Sequence, residues 1–468
     1  MDIINRGIDF IINRASSFGV KENKKEESYV MRNNTGDNAL NDNGAFFGFI
    51  YPEEPPSGPY HDFSFVVFPS NEGKSWLISL VVGSSGFKND YELAAFYPGV
   101  RRLFTRLIDE KGFCKSDFSD IETNLPKDFV DHPSLQHLRK TIDKYRKVLL
   151  VCQIVEDPES EQGRKQISAF LAAYARLRDW PTNQTHRNAV SDALKDFNSE
   201  EKIDDIVSIK NLLQKRKYVV LQGAPGTGKT RAAKIMSKEL EAIPFFIQFH
   251  AETSYSDFIY GIRPSLDSES SLSYKAHKGI FVEAIEQAVS DPSQNVLLVI
   301  DEINRANLSN VLGPIFYLFE YKMDESDIEI EITPELKIAQ LPSNFYVIAT
   351  MNTADRSLAV VDFALRRRFA WYTLVPKPIT KELPNSVFFK DYYSDIAEIF
   401  EWFATGNELA LQPGQGYFIA NSEAEMLNRI RYEMLPLIKE YLQEGFLSHA
   451  KEEFNTFFRN RIGKSIDE

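Results

Sequence analysis

The second half of the chain alternates short apolar runs with longer segments of helical periodicity. The apolar runs lie at 218–222, 245–249, 296–300 and 345–350. Each has the length of a buried strand, and helical segments separate them. This alternation predicts a parallel sheet with helices on both faces. From about residue 376 the pattern is mostly helical, and 426–441 is the clearest predicted helix.

The first part of the chain has a mixed pattern. Strand-like runs lie at 46–51, 63–68 and 76–82. Polar or proline-rich breaks lie at 33–43 and 52–59. Helical segments are predicted at 100–108 and 135–151. A helical run with apolar residues at helical spacing then follows an acidic turn. We predict an N-terminal mixed α+β domain (1–155), a helical connector (156–202), a large α/β subdomain (203–375) and a helical C-terminal subdomain (376–468).

Composition limits the classes of protein that fit. The 468 residues suggest about three domains, and the net charge of -13 means that any nucleic acid contact needs a local basic surface. Two cysteines without a CxxC spacing argue against a zinc site and against a disulfide framework. The N-terminus lacks a signal-peptide core, and the apolar runs are too short to span a bilayer. We therefore expect a cytoplasmic protein without a membrane partner.

The first apolar run of the second half leads directly into GAPGTGKT at 223–230, which has the spacing of a phosphate-binding loop. Glycines let the backbone point its N–H groups at phosphate oxygens, and the following helix adds the positive end of its dipole. Lys229 should reach the β- and γ-phosphates, and the Thr230 hydroxyl should bind Mg²⁺. The predicted nucleotide contacts here are Gly223, Ala224, Pro225, Gly226, Thr227, Gly228, Lys229, Thr230 and Arg231.

Polar residues follow two more of the predicted strands. Asp301 and Glu302 end the run at 296–300, and Asn352 ends the run at 345–350. Because ligands of open α/β sheets bind beyond the carboxyl ends of the strands, these residues should lie beside the phosphate loop. Asp301 is predicted to hold the Mg²⁺ shell, Glu302 to activate the attacking water, and Asn352 to position that water or the γ-phosphate.

A run of three arginines follows at 366–368. Such a run is commonly a solvated helix face. Here it ends a helix shortly after a polar strand end, where a ring-forming motor presents an arginine to the nucleotide of its neighbour. We predict that Arg367 and Arg368 are catalytic candidates that act between subunits. A single subunit could not supply them to its own nucleotide.

Several longer stretches resemble the McrB family of AAA+ GTPases from modification-dependent restriction systems. They are FHAETSYSDFIYGIRP (249–264), VIDEINRANLSNVLG (299–313), ATMNTADRSLAVVDFALRRRF (349–369), LQPGQGYF (411–418) and YEMLPLIKEY (432–441), together with the phosphate loop. The resemblance covers about residues 203–445. It implies an AAA+ P-loop fold with a helical lid at 376–468, and a target-sensing role for the N-terminal domain at 1–155.

The resemblance also implies activity and partners. Such proteins form hexameric rings, hydrolyse GTP rather than ATP with Mg²⁺, translocate on DNA and recruit a separate McrC-type PD-(D/E)xK nuclease. Asp355 resembles the last residue of a guanine-reading NKxD, although Asn352 follows a central strand and should lie near the γ-phosphate. The GTP preference therefore rests on the resemblance. The chain differs from many relatives at Gly313-Pro314, which leaves a subunit contact open, and at Gln415-Gly416, which leaves a lid contact to nucleotide open.

Two features of the first 155 residues have alternative interpretations. The aromatic residues Phe46, Phe47, Phe49, Tyr51, Tyr60 and Phe63 fit either core strands or a pocket that stacks an extruded base of modified DNA. The basic residues fit either a solvated helix face or a nucleic acid surface; they are Arg101, Arg102, Arg106, Arg139, Lys140, Lys144, Arg146 and Lys147. For the whole chain, a MoxR-like ATPase that remodels protein complexes is the alternative to a restriction motor.

Overall fold

The computed structural model describes residues 3–20, 30–55, 57–71, 73–197, 204–266, 272–320, 329–354, 363–380 and 383–467. The chain divides into two compact units. The first comprises Met1–Lys202 with Glu401–Thr405, and the second comprises Ile203–Phe400 with Gly406–Glu468. Within the described ranges, every helix is too short or too polar to cross a membrane.

The first unit is built on an antiparallel sheet. Its strands are β1 (Val30–Asn34), β2 (Phe46–Ile50), β3 (Phe63–Phe68), β4 (Trp76–Val82), β5 (Gly112–Cys114) and β6 (Leu149–Val155). They are paired in the order β1-β2-β3-β4-β6-β5. The strands predicted at 46–51, 63–68 and 76–82 are confirmed. With the helices that follow, this sheet confirms the predicted mixed α+β class of the N-terminal domain.

The helices of this unit cover both faces of the sheet. They are α1 (Ile3–Ser17), α2 (Asp37–Asn41), α3 (Tyr91–Phe96), α4 (Pro98–Thr105), α5 (Lys127–Val130), α6 (Arg139–Tyr145), α7 (Glu161–Leu177) and α8 (Gln184–Phe197). One core lies between the sheet and α1, α7 and α8, and a second core lies on the opposite face beneath α6. Phe47, Phe49 and Phe63 are buried in the first core.

Two expectations for this unit were wrong. The helix predicted over 135–151 ends early, because residues 149–151 begin β6. This strand pairs with β4 and β5, and its apolar side chains are buried on both faces of the sheet. The helical segment predicted as a connector belongs to the unit itself. Helix α7 is buried along almost its whole length, because Phe170, Leu171 and Tyr174 pack into the core against the sheet.

The second unit contains a five-stranded parallel sheet. The strands of the unit are β7 (Tyr218–Gly223), β8 (Ala242–Gln248), β9 (Tyr260–Leu266), β10 (Leu272–Lys278), β11 (Asn295–Asp301), β12 (Ile330–Thr333), β13 (Leu336–Ile338), β14 (Phe345–Asn352), β15 (Ala370–Thr373), β16 (Val387–Phe388) and β17 (Ile419–Ala420). The parallel sheet has the order β15-β7-β14-β11-β8, and the other strands form three two-stranded pairs. This topology confirms the predicted α/β class.

Helices cover both faces of the parallel sheet and form the lid. They are α9 (Asp205–Arg216), α10 (Lys229–Glu239), α11 (Tyr255–Phe258), α12 (Ile280–Ser290), α13 (Leu308–Leu312), α14 (Phe363–Arg368), α15 (Lys390–Phe403), α16 (Glu423–Arg429), α17 (Leu435–Gln443) and α18 (Lys451–Ile462). A π-helical turn, Ile430–Met434, joins α16 to α17. Alternate residues of β11 face different cores: Leu298 packs towards α12, and Leu297 packs towards α9 and α10. Strand β11 inside the sheet is therefore buried on both faces, as is usual for parallel sheets.

Candidate nucleotide-hydrolysis site

The register of the parallel sheet brings three strand ends together. Strand β14 pairs with β7 so that Asn352 lies opposite Gly223. On its other side β14 pairs with β11, where Ala349 lies opposite Ile300. The phosphate loop, Asp301 and Asn352 therefore share one edge of the sheet, beyond the carboxyl ends of neighbouring strands. This is where open α/β sheets bind their ligands.

The phosphate loop runs from the end of β7 to the first residue of α10. Gly226 and Gly228 have φ of 80° and 89°, which is a conformation that favours glycine. The side chain of Lys229 is buried, and its Nζ donates to the carbonyl oxygens of Gly223 at 2.9 Å and Ala224 at 2.8 Å. The loop therefore wraps around the lysine ammonium at the N-terminus of α10, where the helix dipole favours an anion.

The Asp301 carboxylate links the phosphate loop to two strands. Its Oδ1 accepts a hydrogen bond from Thr230 Oγ1 at 2.8 Å and another from Thr350 Oγ1 at 2.6 Å. Carboxylate and hydroxyl oxygens are hard ligands, and Mg²⁺ in such sites is held by few protein groups together with substrate phosphates. Thr230 and Asp301 therefore fit a Mg²⁺ ion bound with a nucleotide.

Glu302 is held by groups on several sides. The Nδ2 of Asn352 donates to Glu302 Oε1 at 2.7 Å, and Arg305 Nε lies 3.4 Å from Oε2. The Glu302 backbone has a φ of 56° and donates its N–H to Thr350 Oγ1 at 3.1 Å. A positive φ at a residue other than glycine is a strained conformation that clusters at functional sites.

The carboxylate of Glu302 also borders a cleft. This cleft of about 430 Å³ is lined by Gln248, Phe249, His250, Glu302 and Arg305. The Glu302 side chain is 16% exposed, so it is largely removed from bulk solvent but remains accessible from the cleft. The arrangement can place a carboxylate oxygen against a water molecule while Asn352 and Arg305 fix the direction of the carboxylate.

A loop of the lid packs directly on the phosphate loop. Gln415 Nε2 donates to the carbonyl oxygen of Thr227 at 2.9 Å. The backbone N–H of Gly416 donates to the carbonyl oxygen of Gly226, also at 2.9 Å. A Cβ added at Gly414 would lie 2.2 Å from the carbonyl carbon of Gly226, so only glycine allows this approach. The Gln415-Gly416 pair thus contacts the phosphate loop.

The arginines at the end of α14 differ in exposure. Arg367 Nη2 bonds Glu320 Oε1, and the Arg367 side chain is 65% exposed. Arg368 lies 3.4 Å from the same carboxylate oxygen, is only 10% exposed, and has its guanidinium 4.4 Å from the centre of the Phe316 ring. Of the two predicted catalytic arginines, Arg367 is therefore the one that a neighbouring molecule could reach, and Arg368 is packed against its own subunit.

The structure brings most predicted site residues together. The residues from Gly223 to Thr230 lie with Asp301, Glu302 and Asn352, whereas Arg231 is exposed on the first turn of α10. Asp355 lies outside the described residues.

Sequence reasoning missed Thr350 and Arg305. The signal for Thr350 was present, because it lies two residues before Asn352 on the same strand. Alternate residues of a strand point to the same face, so a polar side chain at each of these positions indicated that both serve the site.

Replacing Thr350 by valine should remove the hydrogen-bonded link between the Asp301 carboxylate and the Glu302 backbone. Valine keeps the buried shape but removes the hydroxyl that donates to Asp301 and accepts from the Glu302 N–H. Leaving such buried groups unpaired costs about 1–3 kcal/mol. We expect a lower midpoint of thermal unfolding and slower nucleotide turnover. Thr350→Ser, which keeps the hydroxyl, should restore both, and equal loss in the two variants would contradict the hydrogen-bonding role.

Known proteins similar to this chain point to the same class. A family model described as an AAA domain of the dynein-related subfamily matches residues 218–369. The chain is 38% identical over 213 residues to the type IV methyl-directed restriction enzyme EcoKMcrB subunit of Escherichia coli K12, a match that covers 44% of this chain and 45% of that protein. It is 29% identical over 192 residues to the type II restriction enzyme BsuMI component YdiS of Bacillus subtilis 168, covering 32% and 55%.

Solved structures give more distant similarities. A Thermotoga maritima RuvB mutant matches with 19% identity and a TM-score of 0.23, over 42% of this chain and 50% of that chain. A putative ATPase from Cytophaga hutchinsonii matches with 16% identity and a TM-score of 0.26, over 58% and 84%. The chain spans about half the length of the curated relatives it matches.

The parallel sheet, phosphate loop, paired acids and polar strand end define the second unit as an AAA+ P-loop NTPase that binds nucleotide and Mg²⁺. Within that class, the chain is similar to the EcoKMcrB subunit and to a second restriction-enzyme component. The resemblance read from the sequence stretches is thereby confirmed.

Proposed function

We propose that the chain is the GTP-hydrolysing motor subunit of an McrBC-like restriction complex that defends against foreign DNA. The observation that carries the proposal is the hydrogen-bonded set Thr230–Asp301–Thr350 beside the Asn352–Glu302 pair. It joins a phosphate loop, a metal ligand and an oriented carboxylate at one sheet edge. The similarity to known proteins supports a role in restriction, since both matched relatives are components of restriction enzymes.

Each residue of the site has a distinct task in hydrolysis. The backbone N–H groups of 223–230 and the Lys229 ammonium bind the phosphates, and Lys229 exchanges its carbonyl partners for phosphate oxygens. Thr230 and Asp301 hold Mg²⁺, which supplies charge neutralisation to the phosphate oxygens when bound. Asn352 orients Glu302, and Glu302 accepts a proton from the water that attacks the γ-phosphorus. The bond from the γ-phosphorus to the bridging oxygen breaks, and the nucleoside diphosphate leaves.

Full activity requires assembly of several copies. Arg367 is exposed and pairs with Glu320, so a neighbouring copy in a hexameric ring can receive its guanidinium at the γ-phosphate. Arg368 supports it, because the two arginines share the Glu320 carboxylate and Arg368 is packed on Phe316. A separate McrC-type nuclease subunit carries out cleavage, and the first unit recognises the target DNA.

Turnover with different nucleotides tests the proposal. We expect GTP to be hydrolysed faster than ATP, and a co-expressed McrC-type subunit to raise the GTP rate further. The measurement is phosphate release at matched nucleotide and Mg²⁺ concentrations, with Lys229→Ala as the control for contaminating phosphatases. Faster turnover of ATP would contradict the GTP assignment, and ATP turnover stimulated by a protein substrate instead of DNA would favour a MoxR-like remodeller.

A further inference from the structure

One loop of the lid, formed by residues 413–417 and here called the lid loop, lies on the phosphate loop. It makes hydrogen bonds to backbone carbonyl oxygens of three consecutive residues there. Two of the donors are backbone N–H groups, and the third is a side-chain amide. The bonds run from Gly414 to Pro225, from Gly416 to Gly226 and from Gln415 to Thr227, each at 2.9 Å. The lid loop therefore holds three successive peptide groups of the phosphate loop.

The two loops approach so closely that side chains are excluded where they meet. A Cβ added at Gly416 would lie 3.0 Å from the carbonyl oxygen of Gly226, and one added at Gly226 would lie 2.9 Å from Cδ2 of the Tyr417 ring. Gly226 also has a positive φ of 80°, a conformation that favours glycine. The backbones of the lid loop and the phosphate loop therefore pack directly on each other.

The direction of these bonds matters for phosphate binding. A trans peptide group is planar, so its C=O and its N–H point in opposite directions. The carbonyl oxygens of Pro225, Gly226 and Thr227 are turned towards the lid loop. The N–H groups of the same peptide units belong to Gly226, Thr227 and Gly228, and they are turned away from it. The Thr227 N–H lies 3.4 Å from the carbonyl oxygen of Ala224, a long contact that a phosphate oxygen can replace.

Hydrogen bonds from the lid loop also prepare these N–H groups for an anion. The glycines that let the phosphate loop curve also leave its peptide groups free to rotate, and ordering them opposes binding. A loop that is already fixed in its bound conformation avoids that loss of entropy when the ligand arrives. In addition, linked hydrogen bonds polarise one another, so a carbonyl that accepts a bond strengthens the N–H donor of its own peptide group.

Arg429 fixes the lid loop to the helices of the lid. Its Nη1 donates to the carbonyl oxygens of Gly416, at 3.2 Å, and of Ile419. Its Nε and Nη2 donate to the carboxylate of Glu433 on the π-helical turn, with the shortest distance at 2.9 Å. Gly416 links the two sets of bonds, because its carbonyl accepts from Arg429 while its N–H donates to Gly226. Arg429 therefore acts on the phosphate loop through the lid loop.

We propose that the lid loop sets the direction of the phosphate-binding N–H groups, and that Arg429 is the positioning residue that holds the lid loop in place. Nucleotide affinity then depends on the position of the lid, because a displaced lid releases the three peptide groups. The matched AAA domain ends at residue 369, before the lid loop and Arg429. The inference rests on the proposed nucleotide site. It is independent of the GTP preference, since the lid loop acts on groups that bind phosphate.

Two arginines of the same helical segment give a matched pair of variants. Arg429→Met removes the guanidinium but keeps an unbranched side chain. Arg431→Met removes the same charge two residues further on, where Arg431 Nη2 donates to the carbonyl oxygen of Ile462 at 3.5 Å. Gln415→Leu removes one donor of the lid loop without changing a charge, and it tests the proposal if Arg429→Met folds poorly.

Binding and turnover of the full chain are measured for each variant. GTP, ATP and inorganic tripolyphosphate are titrated with Mg²⁺, and phosphate release gives KM and kcat for the nucleotides. We expect Arg429→Met and Gln415→Leu to weaken binding of all three ligands by the same factor of about ten, the contribution of roughly one hydrogen bond. KM should rise while kcat changes little, because Glu302 and Asn352 are held by strand ends. Arg431→Met should behave as the parent chain does.

The outcomes distinguish this inference from the proposed function. A loss of affinity for tripolyphosphate and ATP in Arg429→Met, in a chain that does not prefer GTP, supports the positioning role while the GTP assignment fails. Equal affinities in Arg429→Met and Arg431→Met, or a lower midpoint of thermal unfolding with unchanged affinity, would overturn the positioning role. A fall in kcat at constant KM would also contradict it. If the parent chain binds none of the three ligands, the nucleotide site fails and the inference fails with it.

Discussion

Glu302→Gln should lower nucleotide turnover by roughly 10²–10⁴-fold, the range expected when a general base is lost. Glutamine has nearly the same shape, and its Oε1 can still accept the hydrogen bond that Asn352 donates at 2.7 Å. The side chain should therefore stay in place without being able to take a proton. Because the phosphates are held by the loop and Lys229, nucleotide affinity should change little.

Two measurements separate binding from chemistry in this variant. A fluorescent GTP analogue reports affinity, and phosphate release reports turnover. Glu283→Gln, an exposed residue on α12, controls for the removal of one negative charge. Substantial residual turnover in Glu302→Gln would show that another group activates the water. Loss of nucleotide binding would mean that the carboxylate supports the loop instead of the reaction.

The sequence predicted the second unit better than the first for a physical reason. A parallel sheet buries both faces, so its strands are continuous apolar runs such as 296–300 between clear helices. In the first unit, β6 follows α6 after only a few residues, and its run LLVCQIV is equally apolar. A buried strand and a buried helix cannot be distinguished by periodicity alone in such a run. Only the pairing of β6 with β4 and β5 decides it.

The hydrolysis site was predictable where local sequence sets the chemistry. The phosphate loop requires glycines and a lysine at fixed spacing, and Asp301, Glu302 and Asn352 each end an apolar strand. Contacts between distant segments were not predictable. Gln415 lies 188 residues from Thr227, and their hydrogen bond depends on how the lid folds onto the loop.

The distinction between Arg367 and Arg368 also required the structure. Two adjacent arginines look equivalent in a sequence, but one turns to solvent and the other packs on Phe316. The tertiary fold determines which of the two side chains is exposed. It therefore distinguishes Arg367, which a neighbouring subunit can reach, from Arg368, which supports it.

Arg367→Ala should reduce GTP turnover by roughly 10³–10⁵-fold in the assembled protein, the magnitude of a trans-acting arginine. Arg366→Ala is the matched control, because Arg366 is an exposed arginine on the same short helix and lies beside Trp371. The control should keep most of the activity. Nucleotide affinity of Arg367→Ala should be close to that of the parent chain, since a trans-acting arginine stabilises mainly the charge of the transition state.

Mixing two inactive variants then tests whether the arginine acts between subunits. Lys229→Ala cannot use its own phosphate loop but still presents Arg367, whereas Arg367→Ala has an intact loop. In mixed rings, some intact loops of Arg367→Ala subunits face an arginine from a Lys229→Ala neighbour. We expect partial recovery of turnover that depends on the mixing ratio and on total protein concentration. An arginine that serves its own subunit allows no recovery at any ratio, because no site then contains both groups.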